Sequence, residues 1–317
     1  MERKNTKKIT FISSLFLILS LLVSGCATST TAADGLKVVA STTLVGDVTK
    51  QVGGEHISLT VLLPVGADPH TFEPRPQDVA AISDAQLVFL NGLELEHSLE
   101  PIIESNASCP VVEVSDGVEV IKFSGVHEES EHDSDSEAHT HAEGDPHTWM
   151  DPNAVMIWVE NISRSLIELD PEHKADYEAN AQTYLQQLSD LDTWIKEQVD
   201  TIPAENRALV TDHENMGYFA QRYGFTLAGL VVDSLSSGAS PSAQELSQLE
   251  DTIREQGVKA VFVGSTVNPA LSEQVARDTG VKLVVLNTES LGDENSDISN
   301  YIDFMKKLVN SIVEGLQ

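Results

Sequence analysis

Short apolar runs alternate along this chain with longer segments in which apolar residues recur every three or four positions. Such short runs are typical of strands, and the longer segments have the period of helices. The strand-like runs lie at 36–42, 57–63, 85–92 and 110–114 in the first half, and at 207–212, 225–231, 258–264 and 281–286 in the second. This order predicts βαβ units, in which helices cover a parallel sheet.

The helical segments between these runs are marked by capping residues. Asp151-Pro152-Asn153 predicts the start of a helix that reaches about Leu169, because an Asp side chain accepts from free N–H groups and Pro suits the first turn. Further helices are expected at 44–52, from 76 onward, at 216–223, from 242 onward, at 269–279 and at 297–315.

The longest helical pattern begins at Asp170 and continues to about Val199 without an internal Gly or Pro after the first turn. Its apolar residues recur at spacings of three and four: Tyr177, Ala181, Tyr184, Leu188, Leu191 and Ile195. A helix of this length spans about 40 Å and can brace two domains. We therefore predict an α/β fold with two parallel-sheet lobes, 36–169 and 201–317, joined by one long rigid helix at 170–200.

Residues 115–146 interrupt the first lobe with a polar segment. Within it, 127–143 contains seven acidic residues, no Lys or Arg, and four histidines: His127, His132, His139 and His141. Such a segment cannot bury apolar surface, so we expect a mobile loop. Its imidazoles and carboxylates could bind metal weakly and exchangeably. A solvated linker without a role is the alternative.

The first 25 residues have the pattern of a secretory signal, with basic residues up to Lys8 and an uncharged apolar run at 9–23. The run ends in Val-Ser-Gly-Cys, which resembles the lipobox of bacterial lipoproteins. That resemblance implies a lipid anchor on Cys26, a tether at 26–35, and an extracytoplasmic location at the cell membrane. Ordinary cleavage near Ala27, with Cys26 incidental, is the alternative.

Composition narrows the possible partners. The chain has 317 residues, 41% of them hydrophobic, and a formal charge of -31. A surface of this sign repels phosphate, so nucleic acid is excluded as a partner, whereas cations are attracted. Cys109, the second of two cysteines, is expected to be a small buried hydrophobic residue rather than a reactive thiol.

Three histidines and one glutamate lie at or near the carboxyl ends of predicted strands or in loops that lead into helices: His70, His147, His213 and Glu289. In open α/β sheets this edge is where ligands bind. Each predicted lobe contributes two of the four. Three imidazoles and one carboxylate suit zinc, and four protein ligands fill a tetrahedral shell, which favours binding over hydrolysis.

A single loop histidine is more often a surface residue than a ligand, and His56, His97 and His173 are interpreted as surface residues. His70 and His147 differ from them because both stand in the tripeptide Asp-Pro-His. The neighbouring acids have two open interpretations, as partners of the histidine rings or as caps of local backbone. These acids are Asp68, Asp145, Asp151 and Asp212, of which Asp151 is interpreted chiefly as a helix cap.

Several motifs together resemble one known family. They are ADPHTFEPRPQD at 67–78, NGLELE at 91–96, DPHTWMDP at 145–152, DPEHKADYEANAQTYLQQL at 170–188, TDHENMGYFAQRYG at 211–224 and TESLGDE at 288–294. The chain resembles the zinc and manganese solute-binding lipoproteins of ABC importers, also called cluster A-I or TroA-like receptors. Many relatives have Gly where this chain has Glu94.

The resemblance implies that metal binds between two lobes and that the ligands are His70, His147, His213 and Glu289. Zinc receptors of the family usually have His in the third position, and many manganese receptors have Glu there. We therefore predict a monomeric receptor, not an enzyme, that captures Zn²⁺ and delivers it to an ABC permease.

Other functions remain open from the residues. A manganese receptor on the same scaffold is the main alternative. A zinc hydrolase with Glu214 as general base is less favoured, because the sequence contains no HExxH or GxSxG motif. An adhesin is a further alternative that no residue tests.

Overall fold

A computed structural model describes residues 35–122 and 144–317. The predicted signal segment, most of the tether, and the His/acid segment with His127, His132, His139 and His141 lie outside these residues, as does Cys26. Within the described ranges, no helix is both long enough and apolar enough to cross a membrane.

The first lobe is built on a parallel sheet. Its strands are β1 (Leu36–Ala40), β2 (Ile57–Val61), β3 (Leu87–Leu90) and β4 (Val111–Glu113), in the order β2-β1-β3-β4. Successive strands are connected by α1 (Thr43–Gly53), α2 (Pro76–Asp84) and α3 (Glu100–Asn106). Strand β3 is buried at every position, as its unbroken run Leu-Val-Phe-Leu predicts for a sheet covered on both faces.

The second lobe repeats this topology. Its strands are β5 (Ala208–Thr211), β6 (Thr226–Leu230), β7 (Ala260–Gly264) and β8 (Lys282–Leu286), in the order β6-β5-β7-β8. We number its helices α6 (Gly217–Tyr223), α7 (Ala243–Gln256), α8 (Ala270–Thr279) and α9 (Tyr301–Leu316). The predicted fold class is confirmed in both lobes.

Two helices connect the sheets along the chain, α4 (Pro152–Leu169) and the long α5 (Lys174–Val199). Helix α5 packs against α1 and α4 of the first lobe and against α9 of the second, so it braces both lobes as predicted. It begins four residues later than the pattern indicated, because Pro171–His173 form a separate 3-10 turn. Helix α9 likewise begins at Tyr301 rather than 297, because Asn300 caps it by accepting from the Asp303 amide.

A single apolar core extends through both lobes. Its largest cluster runs from the strands of the first lobe across α5 to α9, and it contains the fully buried Trp149, Trp158, Tyr177 and Tyr301. Two smaller clusters lie within the individual lobes. Because the two sheets share one core, the loops at their carboxyl ends are held close to one another.

Candidate metal centre

Loops from both lobes bring four ligand-type side chains together. His70 follows β2, His147 precedes α4, His213 follows β5, and Glu289 follows β8. One ligand atom from each of the four lies within 4.8 Å of all the others. All four positions were predicted from the sequence, and the structure places them at one point.

The spacing of these atoms fits a small divalent cation. Nε2 of His70 lies 3.1 Å from Nε2 of His147 and 3.7 Å from Oε1 of Glu289. The same glutamate oxygen lies 2.9 Å from Nε2 of His213. A tetrahedral zinc ion with bonds of about 2.0–2.1 Å separates its ligand atoms by about 3.3 Å, which these distances bracket.

Unsatisfied polar atoms mark the same point. Nε2 of His213 and Oε1 of Glu289 are buried and lie 2.9 Å apart, but among the described residues neither makes a well-aligned hydrogen bond. A buried donor or acceptor without a partner is costly. A cation between them would satisfy both atoms, so the donor set fits a metal ion.

Two carboxylates orient the histidine rings. Oδ1 of Asp145 lies 2.7 Å from Nδ1 of His147, and Oδ2 of Asp212 lies 2.7 Å from Nδ1 of His213. When each Nδ1–H donates to its carboxylate, Nε2 is left to face the centre. Both acids are therefore partners of the rings, and Oδ1 of Asp145 also caps local backbone by accepting from the His147 amide at 2.9 Å.

The positive charge of His213 and the negative charge of Glu289 stabilise each other. Although burial opposes it, contacts with Asp212 and Glu289 and their negative charges raise the pKa of His213 to about 10. Burial also opposes ionisation of Glu289, but His213 above all, and then His70 and His147, lower its pKa to about 2. The metal-free centre therefore holds an ionised carboxylate beside a protonated His213.

The loop that carries His70 is tied to the second lobe. Oδ1 of Asp68 accepts from the His70 amide at 2.8 Å, so this acid caps local backbone rather than a ring. Its other oxygen accepts from the hydroxyl of Ser237 across the lobes. The Gly66 amide also donates to Oγ of Ser290 at 2.8 Å. These bonds close the first-lobe loop over the metal centre.

Asp151 and Glu94 have structural explanations. Asp151 caps α4 by accepting from the Asn153 amide at 2.8 Å, as predicted. Glu94 has a φ of +60°, in the left-handed region that favours glycine.

The remaining histidines of the described residues lie away from the centre. Nε2 of His56 contacts Asp176 at 3.0 Å, and the ring of His56 stacks on that of His173 with the centroids 3.9 Å apart. His97 lies near Glu100 and is largely exposed. Cys109 is partly buried and packs against an apolar cluster of the first lobe.

Three residues near the centre were not found from the sequence. Oγ1 of Thr266 donates to Oε2 of Glu289 at 2.6 Å, and Nε1 of Trp149 donates to the Thr288 carbonyl at 2.7 Å. Ser237 reaches Asp68 from the second lobe. No sequence motif marks a hydroxyl or an indole as part of a metal centre. These contacts also depend on how the loops meet in space.

Comparison with known proteins shows which family of proteins this chain resembles. Residues 38–315 match the family described as zinc-uptake complex component A, periplasmic. The chain is 37% identical over 316 residues to the manganese-binding lipoprotein MntA of Halalkalibacterium halodurans, covering 98% of this chain and 99% of that one. It is 31% identical over 327 residues to the manganese ABC transporter substrate-binding lipoprotein PsaA of Streptococcus pneumoniae, covering 100% and 99%.

Solved structures show the same fold. The periplasmic zinc-binding protein TroA of Treponema pallidum matches with a TM-score of 0.77 at 27% identity, covering 88% of this chain and 98% of TroA. A manganese-bound periplasmic metal-binding protein of Candidatus Liberibacter asiaticus matches with a TM-score of 0.75 at 27% identity, covering 88% and 99%.

Proposed function

Because this chain belongs to the family of periplasmic zinc-uptake component A proteins, we propose that it captures Zn²⁺ through His70, His147, His213 and Glu289 and delivers it to an ABC permease. Membership confirms the predicted class of metal-binding receptor of an ABC transporter. It also confirms the predicted extracytoplasmic location at the membrane. The family is one of receptors rather than enzymes.

The donor set is the observation that carries the choice of zinc. Three imidazole nitrogens and one carboxylate oxygen are the ligands that a borderline-soft, tetrahedral ion prefers. His213 is the critical member, because it supplies the third nitrogen with Nε2 directed to Oε1 of Glu289. Four protein ligands also leave no position for the water that a zinc hydrolase needs, which argues against the role of Glu214 as a general base.

Manganese is the second candidate, because curated relatives of this chain are named for manganese. Mn²⁺ suits carboxylate, carbonyl and water ligands in an octahedral arrangement. The centre supplies one carboxylate and three imidazoles, a set with fewer oxygens than Mn²⁺ favours. We therefore rank zinc above manganese.

Uptake in living cells tests this choice. Binding constants alone are insufficient, because nearly every protein site of this type binds Zn²⁺ more tightly than Mn²⁺. The gene is deleted, and uptake of radioactive zinc and manganese is measured at limiting concentrations of each. We expect zinc uptake to fall and manganese uptake to stay unchanged. The opposite result would make the protein a manganese receptor on the same scaffold.

We also propose that Cys26 carries the lipid anchor and that residues 1–25 are removed. Replacing Cys26 with Ala should release the protein from the membrane fraction. The His/acid segment with His127, His132, His139 and His141 is proposed to collect metal rather than to store it in a fixed site. Deleting 127–143 should reduce uptake at limiting zinc, whereas uptake equal to that of the full chain would leave the segment without this role.

A further inference from the structure

The two carboxylate oxygens of Glu289 have different partners. Oε1 faces the metal centre, 2.9 Å from Nε2 of His213 and 3.7 Å from Nε2 of His70. Oε2 accepts a hydrogen bond of 2.6 Å from Oγ1 of Thr266. One oxygen is therefore available to a cation, and the other is engaged by a residue that is not a ligand.

This division matters because a carboxylate can bind a metal through one oxygen or through both. With one oxygen, three imidazoles and Glu289 make a four-coordinate site, which is what zinc prefers. With both oxygens, the same residues make a five-coordinate site with more oxygen ligands, which is closer to what manganese prefers. A hydrogen bond to a charged group is strong enough to change this balance about tenfold or more.

We propose that Thr266 is a positioning residue that determines metal specificity: by engaging Oε2, it holds Glu289 as a one-oxygen ligand and disfavours manganese. The inference deepens the proposed zinc function and rests on it. Thr266 is not one of the four ligand-type residues, so its effect would pass through Glu289.

The loop that carries the Thr266 hydroxyl is held by bonds within the second lobe. Thr266 lies in the connection between β7 and α8, and its loop is anchored where the Gly264 amide donates to Oδ1 of Asp212 at 3.2 Å. The neighbouring hydroxyl takes no part in this restraint, because Oγ of Ser265 donates to Oδ1 of Asn287 at 2.9 Å. Glu289 and the hydroxyl that restrains it therefore both belong to the second lobe.

Three variants separate the hydroxyl from the rest of the loop. Thr266→Val removes the hydroxyl and keeps the shape, whereas Thr266→Ser keeps the hydroxyl. Ser265→Ala removes the neighbouring hydroxyl, which faces Asn287, and is the matched control. Competition titrations give the dissociation constants for Zn²⁺ and Mn²⁺, and visible spectra of the Co²⁺-loaded proteins report the coordination number, since four-coordinate Co²⁺ absorbs more strongly than five-coordinate Co²⁺.

We expect Thr266→Val to shift the ratio of the manganese and zinc dissociation constants about tenfold toward manganese. Its Co²⁺ absorbance should fall below that of the wild type, and Thr266→Ser and Ser265→Ala should match the wild type in both measurements. An unchanged ratio and spectrum in folded Thr266→Val would overturn the inference, as would equal losses of affinity for both metals. If the uptake experiment showed that the protein supplies cells with manganese rather than zinc, the proposed function would be refuted instead. Failure of the Thr266 inference and failure of the proposed function are therefore distinguishable.

Discussion

Asp212 and His213 are consecutive in the chain, and the carboxylate of the first fixes the ring of the second, with Oδ2 and Nδ1 2.7 Å apart. Its other oxygen accepts from the Gly264 amide at 3.2 Å, so the carboxylate is itself held by the adjacent strand β7. Two hydrogen bonds, rather than packing alone, thus direct Nε2 of His213 toward the metal centre.

Replacing Asp212 with Asn tests this relationship. The amide keeps the size of the carboxylate but removes its negative charge, so it holds the ring less firmly and makes Nε2 a weaker donor. We expect zinc affinity to fall by about 10–100-fold, measured by competition against a chromophoric chelator. Asp233→Asn, an exposed position in the same lobe, should retain wild-type affinity. Equal affinities of the two variants would show that Asp212 does not orient the ligand.

Removal of a ligand itself should have a larger effect. His213→Ala deletes one of four donors and leaves Glu289 without its nearest neighbour in the centre. Structural zinc sites bind with about 10–16 kcal/mol, so one ligand of four is worth a loss of about 100-fold or more. Titration with zinc measures the loss, and His97→Ala, at an exposed position outside the centre, is the control. Wild-type affinity in His213→Ala would contradict the proposed site.

These ligands could be predicted from the sequence because each lies in a loop at the edge of a parallel sheet, and the strands that lead to those loops have clear apolar patterns. The folding of α5 as one helix followed from the absence of internal Gly and Pro after its first turn. By contrast, Thr266 and Ser237 could not be found, since a hydroxyl in a loop has no pattern of its own. Thr266 meets Glu289 only when the strands of the second lobe have paired, and Ser237 meets Asp68 only when both lobes have folded.

Zinc binding should depend on pH, because the pKa of His213 is about 10 in the metal-free centre and a bound cation requires the neutral ring. Binding then releases about one proton, and the apparent affinity should rise about tenfold per pH unit between about pH 7 and 9. Calorimetry in buffers of different ionisation enthalpy measures the number of protons released. A heat of binding that is the same in every buffer would show that His213 is already neutral.

The ionisation of His213 also predicts how the stability of the metal-free protein changes with pH. The pKa of His213 in the fold, about 10, lies above the value of 6.5 expected without the fold. Its contribution to stability is therefore complete below about pH 6.5 and is lost as the pH rises through about 10. Thermal unfolding of metal-free protein between pH 7 and 10 should show this loss, and His213→Gln should show a flatter profile. A steeper loss in the Gln variant would be inconsistent with this account.

Asp192 ties the long helix α5 to α6 of the second lobe. Its carboxylate accepts from Nε and Nη2 of Arg222 at 3.1 and 2.9 Å, and from the hydroxyl of Tyr223 at 3.1 Å. Although burial opposes it, the bonds from Arg222 and Lys196 keep the pKa of Asp192 below its ordinary value.

Replacing Asp192 with Ala leaves Arg222 and Tyr223 without this acceptor. Because Arg222 is partly exposed and water can replace some of the bonds, we expect a loss of about 2 kcal/mol in the free energy of unfolding. Urea denaturation measures it. Asp190→Ala on the exposed face of α5 loses only one surface bond to Gln186, and it should change stability by less than about 0.5 kcal/mol. Similar losses in the two variants would rule out a bracing role for Asp192.

Ser237 provides the last test, because its bond to Asp68 joins the second lobe to the loop that carries His70. If this bond holds the loop over the metal, it must break before zinc can leave. Ser237→Ala should therefore accelerate zinc dissociation up to about tenfold. Association should change less, because the open protein already lacks the bond. Stopped-flow release of zinc to an excess of chelator measures the rate. Ser240→Ala, exposed in the same segment, is the control, and equal dissociation rates in the two variants would assign the retention of zinc to the ligands alone.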